Sequence, residues 1–198
     1  TFRMFNELLS FVCNTVYHKT PVMNNELFNR HKLSGSISSA RVKYLTAMLN
    51  QGNEIDFGFA KDKFPPEKTI YYSLLKHTGL HAEGAFASQP SNEGIKPLWD
   101  ACEDFLASTT NKPRKISELI KLLSARPYKL KQGFLVFWFP TYLYIKKQEY
   151  SLYGNGGAYI PNVNMEFFEL LQKHSSDYSI KALDVTGVRM DIFNQYRK

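Results

Sequence analysis

Four consecutive stretches decide the fold: Ile116-Ser-Glu-Leu-Ile-Lys-Leu-Leu-Ser-Ala125, Arg126-Pro-Tyr-Lys-Leu-Lys-Gln-Gly133, Phe134-Leu-Val-Phe-Trp-Phe-Pro-Thr-Tyr-Leu-Tyr-Ile145 and Tyr150-Ser-Leu-Tyr-Gly-Asn-Gly-Gly-Ala-Tyr-Ile-Pro161. The first places Ile116, Leu119, Ile120 and Leu123 on one helical stripe, and Pro127 ends it. The third is apolar almost all round, so a helix over 131–147 sits inside the core rather than facing solvent. In the fourth, two short aromatic runs flank Gly154-Asn-Gly-Gly157, whose residues tolerate positive φ, and this predicts an antiparallel hairpin over 150–160. Helix, turn, helix, hairpin is the order of a winged-helix-like module.

Working outward, the N-terminal half reads as helices joined by polar turns. Phe2, Phe5, Leu8, Leu9, Val12, Cys13 and Val16 keep a helical period. Ser34 to Ser39 supply caps for a helix presenting Ile37, Ala40, Tyr44, Leu45 and Met48. Pro66 stands at a first helical position, Glu67 suits the dipole, and Ile70, Tyr71, Leu74 and Leu75 form the stripe until Gly79 stops it. Residues 81–93 read as a surface loop. Ile95, Leu98, Trp99, Cys102, Phe105 and Leu106 mark one more helix, and Ser108 to Pro113 mark the best internal boundary. The fold class expected is mainly α with a small β-hairpin: a helical region over 1–110, then a winged-helix-like region over 111–198. Apolar period at the very start, and a helical pattern over 186–196 with no stop signal, read as a piece of a longer polypeptide.

Composition sets further limits. The chain has 198 residues, 43% of them apolar and 15% aromatic, enough for a sizeable core. Two cysteines, Cys13 and Cys102, are too few for a disulfide framework or a zinc site; both fall on apolar helical faces and are expected as buried structural thiols. The longest apolar run is interrupted by Pro140 and falls short of the ~20 residues that cross a bilayer, and no signal-peptide layout is present. A cytoplasmic protein without a membrane partner is expected. The net charge of +7 is uneven, with nine Lys and Arg against four Asp and Glu between 101 and 150. Clustered basic charge is the footprint of phosphate binding or simply a solvated surface, and both readings stand.

Catalytic chemistry finds no foothold. Gly154-Asn-Gly-Gly157 is followed neither by Lys-Ser/Thr nor by a helix, so it reads as a hairpin turn and not as a phosphate cradle. His77 and His81 are four apart, yet Gly79 lies between them and no third ligand is spaced nearby; they read as exposed or capping residues. Glu103-Asp104 and Glu166 with Glu169 read as solvated helix faces. The expectation is no enzyme, no metal and no cofactor.

The combination Val22-Met-Asn-Asn-Glu26, Lys32-Leu-Ser34 with Ser39-Ala-Arg41, Phe64-Pro-Pro-Glu67 with Tyr72-Ser-Leu-Leu75 and Thr78-Gly-Leu-His81, Leu98-Trp99, and Arg126 to Gly133 ahead of Leu152-Tyr153 and Tyr159-Ile-Pro161 resembles the non-catalytic region of very large bacterial P-loop ATPases found with anti-phage systems, including the BREX-type ATPases. The resemblance covers nearly the whole chain. It implies a helper module of a phage-defence ATPase, engaged in protein–protein interaction with other domains of the same polypeptide or with partner subunits. Where the family turn reads Pro-Pro-Tyr-Gly-Leu-Lys-Asp-Gly, this chain departs at Arg126, Lys129 and Gln132. The family's nucleotide-binding motifs have no counterpart here. The alternative function is binding of DNA or RNA through the basic 112–131 segment and the 150–160 wing, using Arg114, Lys115, Arg126, Lys129, Lys131, Tyr153 and Tyr159.

Overall fold

The computed structural model describes residues 2–23, 25–29 and 33–183. Along these run helices α1 (Phe2–Val16), α2 (Gly35–Gln51), α3 (Pro66–Tyr71), α4 (Lys96–Ala107), α5 (Ile116–Ser124), α6 (Gln132–Ile145) and α7 (Met165–Lys173). Short strands lie between them: β1 (His81–Ala82), β2 (Ala85–Phe86), β3 (Arg114–Lys115), β4 (Tyr150–Tyr153), β5 (Tyr159–Ile160) and β6 (Ser179–Ala182). The architecture is mainly helical with small antiparallel sheets. The helical pattern expected over 186–196 lies outside the described residues.

A helix that is apolar on every side must be surrounded, and α6 is. Every residue from Gly133 to Leu143 is buried. On one side Phe134, Trp138 and Tyr142 form a ladder of stacked rings at 6.0 and 6.3 Å, against which Trp99 of α4 packs edge-on at 6.1 Å from Trp138. On another side Phe137 meets Phe28 and Tyr44, and the Tyr44 hydroxyl bonds Thr141 at 2.8 Å. Pro140 lacks an N–H, so the Val136 carbonyl one turn earlier has no helical donor. Arg41 of α2, itself buried, supplies one: its Nε donates to Val136 O at 3.2 Å, while its two terminal nitrogens reach Glu169 and the Phe168 carbonyl on α7. One guanidinium thereby ties α2, α6 and α7 together.

The expected stripes of α2, α3 and α4 are buried throughout. Ser34 caps α2 by accepting from Ile37 N at 3.4 Å, and Pro66 opens α3, which runs on into a π-helical turn over Tyr72–Lys76. At α5, Glu118 accepts from Lys115 N at 3.2 Å, the return half of a capping box.

Several expectations are corrected. Residues 81–93 do not form a simple loop, because β1 and β2 pair as a hairpin with Glu83 and Gly84 at φ 49° and 76°, the two positive values that a type I′ turn requires. A side chain at Gly84 would also meet Asn53 O at 2.4 Å. His81 is wholly buried, with Nε2 on Gly52 O at 2.9 Å and Nδ1 on the Tyr71 hydroxyl at 2.8 Å; burial holds its pKa below the usual value. Cys13 is exposed, because α1 buries none of its residues among the described residues, whereas Cys102 is buried as expected and its thiol is pushed up to about 12. Glu103 and Glu169 do not belong to free solvated faces. Glu103 accepts from the Tyr142 hydroxyl at 2.7 Å and from Lys146 at 2.8 Å, and Glu169 pairs with Arg41.

The hairpin over 150–160 is present, and it belongs to something larger. Strands β4 and β5 pair antiparallel, and a four-stranded sheet runs in the order β3-β6-β4-β5. Strand β6, delivered by α7, inserts between β3 and β4. Among the described residues no helix is long and apolar enough to cross a membrane.

Candidate functional site

The register of the four-stranded sheet decides what its two faces carry. Residues directly opposite on antiparallel strands point the same way. One row is Arg114, Ile180, Leu152 and Ile160; the next is Lys115, Ser179, Tyr153 and Tyr159. The first row turns inward, with Ile180 and Leu152 buried. The second row, together with the opposed pair Ser151 and Lys181, turns outward. This outer face therefore carries two lysines, two serines and a tyrosine pair whose rings stand 6.1 Å apart at 59°. Tyr159 is 55% exposed and Tyr153 half-buried. A cleft of about 600 Å³ opens beside the same hairpin, lined by Tyr144, Lys147, Leu152, Tyr159 and Ile160 among others.

Of the seven residues singled out in the sequence, three come together on this face: Lys115, Tyr153 and Tyr159. Arg114 does not. It faces inward, donates twice to Glu118 Oε2 at 3.0 and 2.8 Å, reaches Ser108, and lies 4.5 Å from the Phe105 ring. Its guanidinium is thereby engaged in fastening β3 to α4 and α5. Arg126, Lys129 and Lys131 sit apart from the strands on the connection between α5 and α6, all exposed. Lys131 donates to Asn29 O at 3.2 Å. Lys129 takes φ 52°, a conformation that Gly adopts without steric cost. Sequence reasoning missed Ser179 and Lys181, because β6 is four residues long and only Ile180 in it is buried, and it did not single out Ser151 within the hairpin strand β4.

This basic connection is also the root of α1. Thr20 donates to the carbonyls of Pro127 and Tyr128, and Lys19 lies 5.9 Å from the Tyr128 ring. From that anchor α1 presents an apolar face to solvent. Phe2 is 81% exposed, Phe11 69%, Met4 67%, Phe5 and Leu8 61%, Leu9 50% and Val12 47%. The polar side of the helix holds Arg3 and Glu7, paired with each other at 3.0 Å. Lone exposed apolar residues are ordinary on a protein surface, but seven on one face of one helix form a contiguous patch of the kind that marks an interaction site.

A third cluster surrounds Asp56, which stands with Phe57 in left-handed backbone at φ 51° and 53°. Its carboxylate accepts from the hydroxyls of Tyr71 and Tyr72 at 3.2 and 3.0 Å and from Lys76 at 2.7 Å. These partners hold its pKa below the usual carboxylate value against the opposing effect of burial, the largest single influence on it. Tyr71 in turn bonds His81, whose two ring nitrogens are both engaged and whose side chain is sealed from solvent. The arrangement is a satisfied network that fixes the turn before Phe59. Among the described residues no group of three or more His, Cys, Asp and Glu is placed to hold a metal ion.

No family model matches the chain, and neither a curated protein nor a solved structure matches it.

Proposed function

We propose that this chain is a non-catalytic interaction module of a larger bacterial defence-type ATPase, working in the cytoplasm and docking other domains or subunits. The observation that carries the proposal is the apolar face of α1, which the chain raises from its body and leaves without a partner of its own among the described residues. Burying such a face against protein contributes about 25 cal/mol per Å² removed from water, so the helix is a strong site for association. Two features support the defence-type context: the ordered motifs from Val22 to Pro161, and the left-handed Lys129 at the position of the family's Gly. The order α4, β3, α5, α6, β4, β5 supports a winged-helix-like reading of the C-terminal half, with β6 as an insertion between its strands. Because α6 is buried, such a module would have no exposed second helix with which to read bases in a major groove.

The outer sheet face favours a second reading, in which Lys115 and Lys181 contact phosphates while Tyr153 and Tyr159 stack on unpaired bases of DNA or RNA. A titration with duplex and single-stranded oligonucleotides at about 50 mM and about 200 mM salt separates the two. The docking account expects no retardation at either salt. Retardation of single strands that falls steeply with salt, weakens on Lys115→Glu with Lys181→Glu, and loses roughly 1–3 kcal/mol on Tyr159→Ala would put the nucleic-acid reading in its place. Reversal of Arg126, Lys129 and Lys131 to Glu in the same assay tells whether the α5–α6 connection takes part.

A further inference from the structure

The apolar side chains of α1 fall into a pattern that a partner must match. Phe2, Phe5, Leu9 and Val12 recur at alternating spacings of three and four, the spacing of a seam between paired helices. Met4, Leu8 and Phe11 lie beside that seam, so the apolar arc spans roughly 180° of the helix at about 100° per residue. None of these residues is buried by the described residues of its own chain. We infer that the face is occupied by the same face of a second copy, so that two chains associate about a two-fold axis through α1. This rests on the docking reading above and names its partner.

Three observations favour a second copy. The first is area. Seven side chains that are 47–81% exposed, at about 200 Å² for a fully exposed large apolar residue, offer roughly 800 Å² per chain, which is one partner's share of a stable interface. Second, the face is electrically neutral. Arg3 and Glu7 pair within the helix, and no other charged residue lies in α1, so an isologous contact brings no like charges together across the seam. The third concerns the competing surface, a lipid bilayer. Helices that lie on anionic membranes carry Lys and Arg along their polar side; here that side is Arg3, Asn6, Glu7, Ser10 and Asn14, with no net charge.

The test uses the chain as it stands. Each copy carries +7, so the two bodies repel weakly while the seam attracts, and screening of the repulsion means that added salt tightens the dimer. Mass measurement by sedimentation should show a dimer at about 100 µM that dissociates towards about 1 µM, and one more stable at about 500 mM than at about 50 mM salt. Cys13 lies at the edge of the apolar arc and is exposed, whereas Cys102 is buried with its thiol pushed up to about 12, so a bismaleimide should join two chains through Cys13. Leu8→Glu should weaken association by about 100-fold or more and abolish the cross-link, while Leu8→Met dimerises like the parent. Because α1 buries no residue among the described residues of its own chain, the thermal transition of monomeric Leu8→Glu checks that the fold survives. A chain that stays monomeric at about 100 µM overturns the second copy and leaves docking to a different protein standing. A dimer that Leu8→Glu does not disturb places the interface elsewhere and overturns both. Monomers that float with phosphatidylserine vesicles through α1 assign the face to lipid, and also overturn both.

Discussion

Replacing Trp138 by alanine should destabilise the chain by about 3–5 kcal/mol, the range for deleting a large aromatic from a packed core. Trp138 is wholly buried. It is the middle ring of the α6 ladder, with Phe134 and Tyr142 stacked on its two sides and Trp99 packed edge-on. Its indole N–H points at Cys102 Sγ at 3.4 Å. Alanine removes all of these contacts at once, and the surrounding rings cannot close the gap because they are held from α4 and α6 simultaneously. Chemical denaturation reads the cost as a lower midpoint at unchanged slope. A midpoint equal to that of the parent would mean that the apolar run is a surface and that the helical core is built otherwise.

Arg41→Met should cost about 1–3 kcal/mol through a different mechanism. Methionine keeps much of the volume but removes the donors to Val136 O, Phe168 O and Glu169. The Val136 carbonyl is the decisive loss, since Pro140 denies it a helical partner and it lies in the core. This gives a double-mutant test. Pro140→Ala restores an N–H one turn after Val136, so in the Arg41→Met background it should recover part of the loss, whereas in the parent it should be neutral or destabilising because it only removes packed ring atoms. Strictly additive effects of the two substitutions would show that Arg41 does not stand in for the missing helical donor.

These two positions also show what the sequence makes legible. Trp138 belongs to a run with no polar side, and periodicity alone places it in the core; the same holds for Tyr44, Leu74 and Cys102 on their stripes. Arg41 lies on the same α2 face as Ala40 and Tyr44, but its burial depends on a proline in another helix and a carboxylate in a third, which no local pattern encodes. His81 is buried because Tyr71 and Gly52 offer partners from distant parts of the chain, and a lone histidine after a helix-stopping glycine carries no trace of them. For the candidate site the hairpin was readable from Gly154-Asn-Gly-Gly157, and with it the neighbouring Tyr153 and Tyr159. Their alignment with Lys115 and Lys181 was not, because β6 reaches the sheet only after α7 has turned the chain back. The apolar period of α1 was equally plain, but periodicity tells which side of a helix is apolar and not whether its own chain covers it.

Amide hydrogen exchange across Phe2–Val16 tests the central claim most directly. A helix of this length without packing contacts is marginal in water. In the chain at about 1 µM, α1 should exchange orders of magnitude faster than the α6 amides, and at about 100 µM, where the apolar faces meet, it should gain protection while α6 stays unchanged. Protection of α1 equal to that of α6 at the lowest concentration would contradict the account, because it would mean that the helix is already covered by its own chain and offers nothing to a partner.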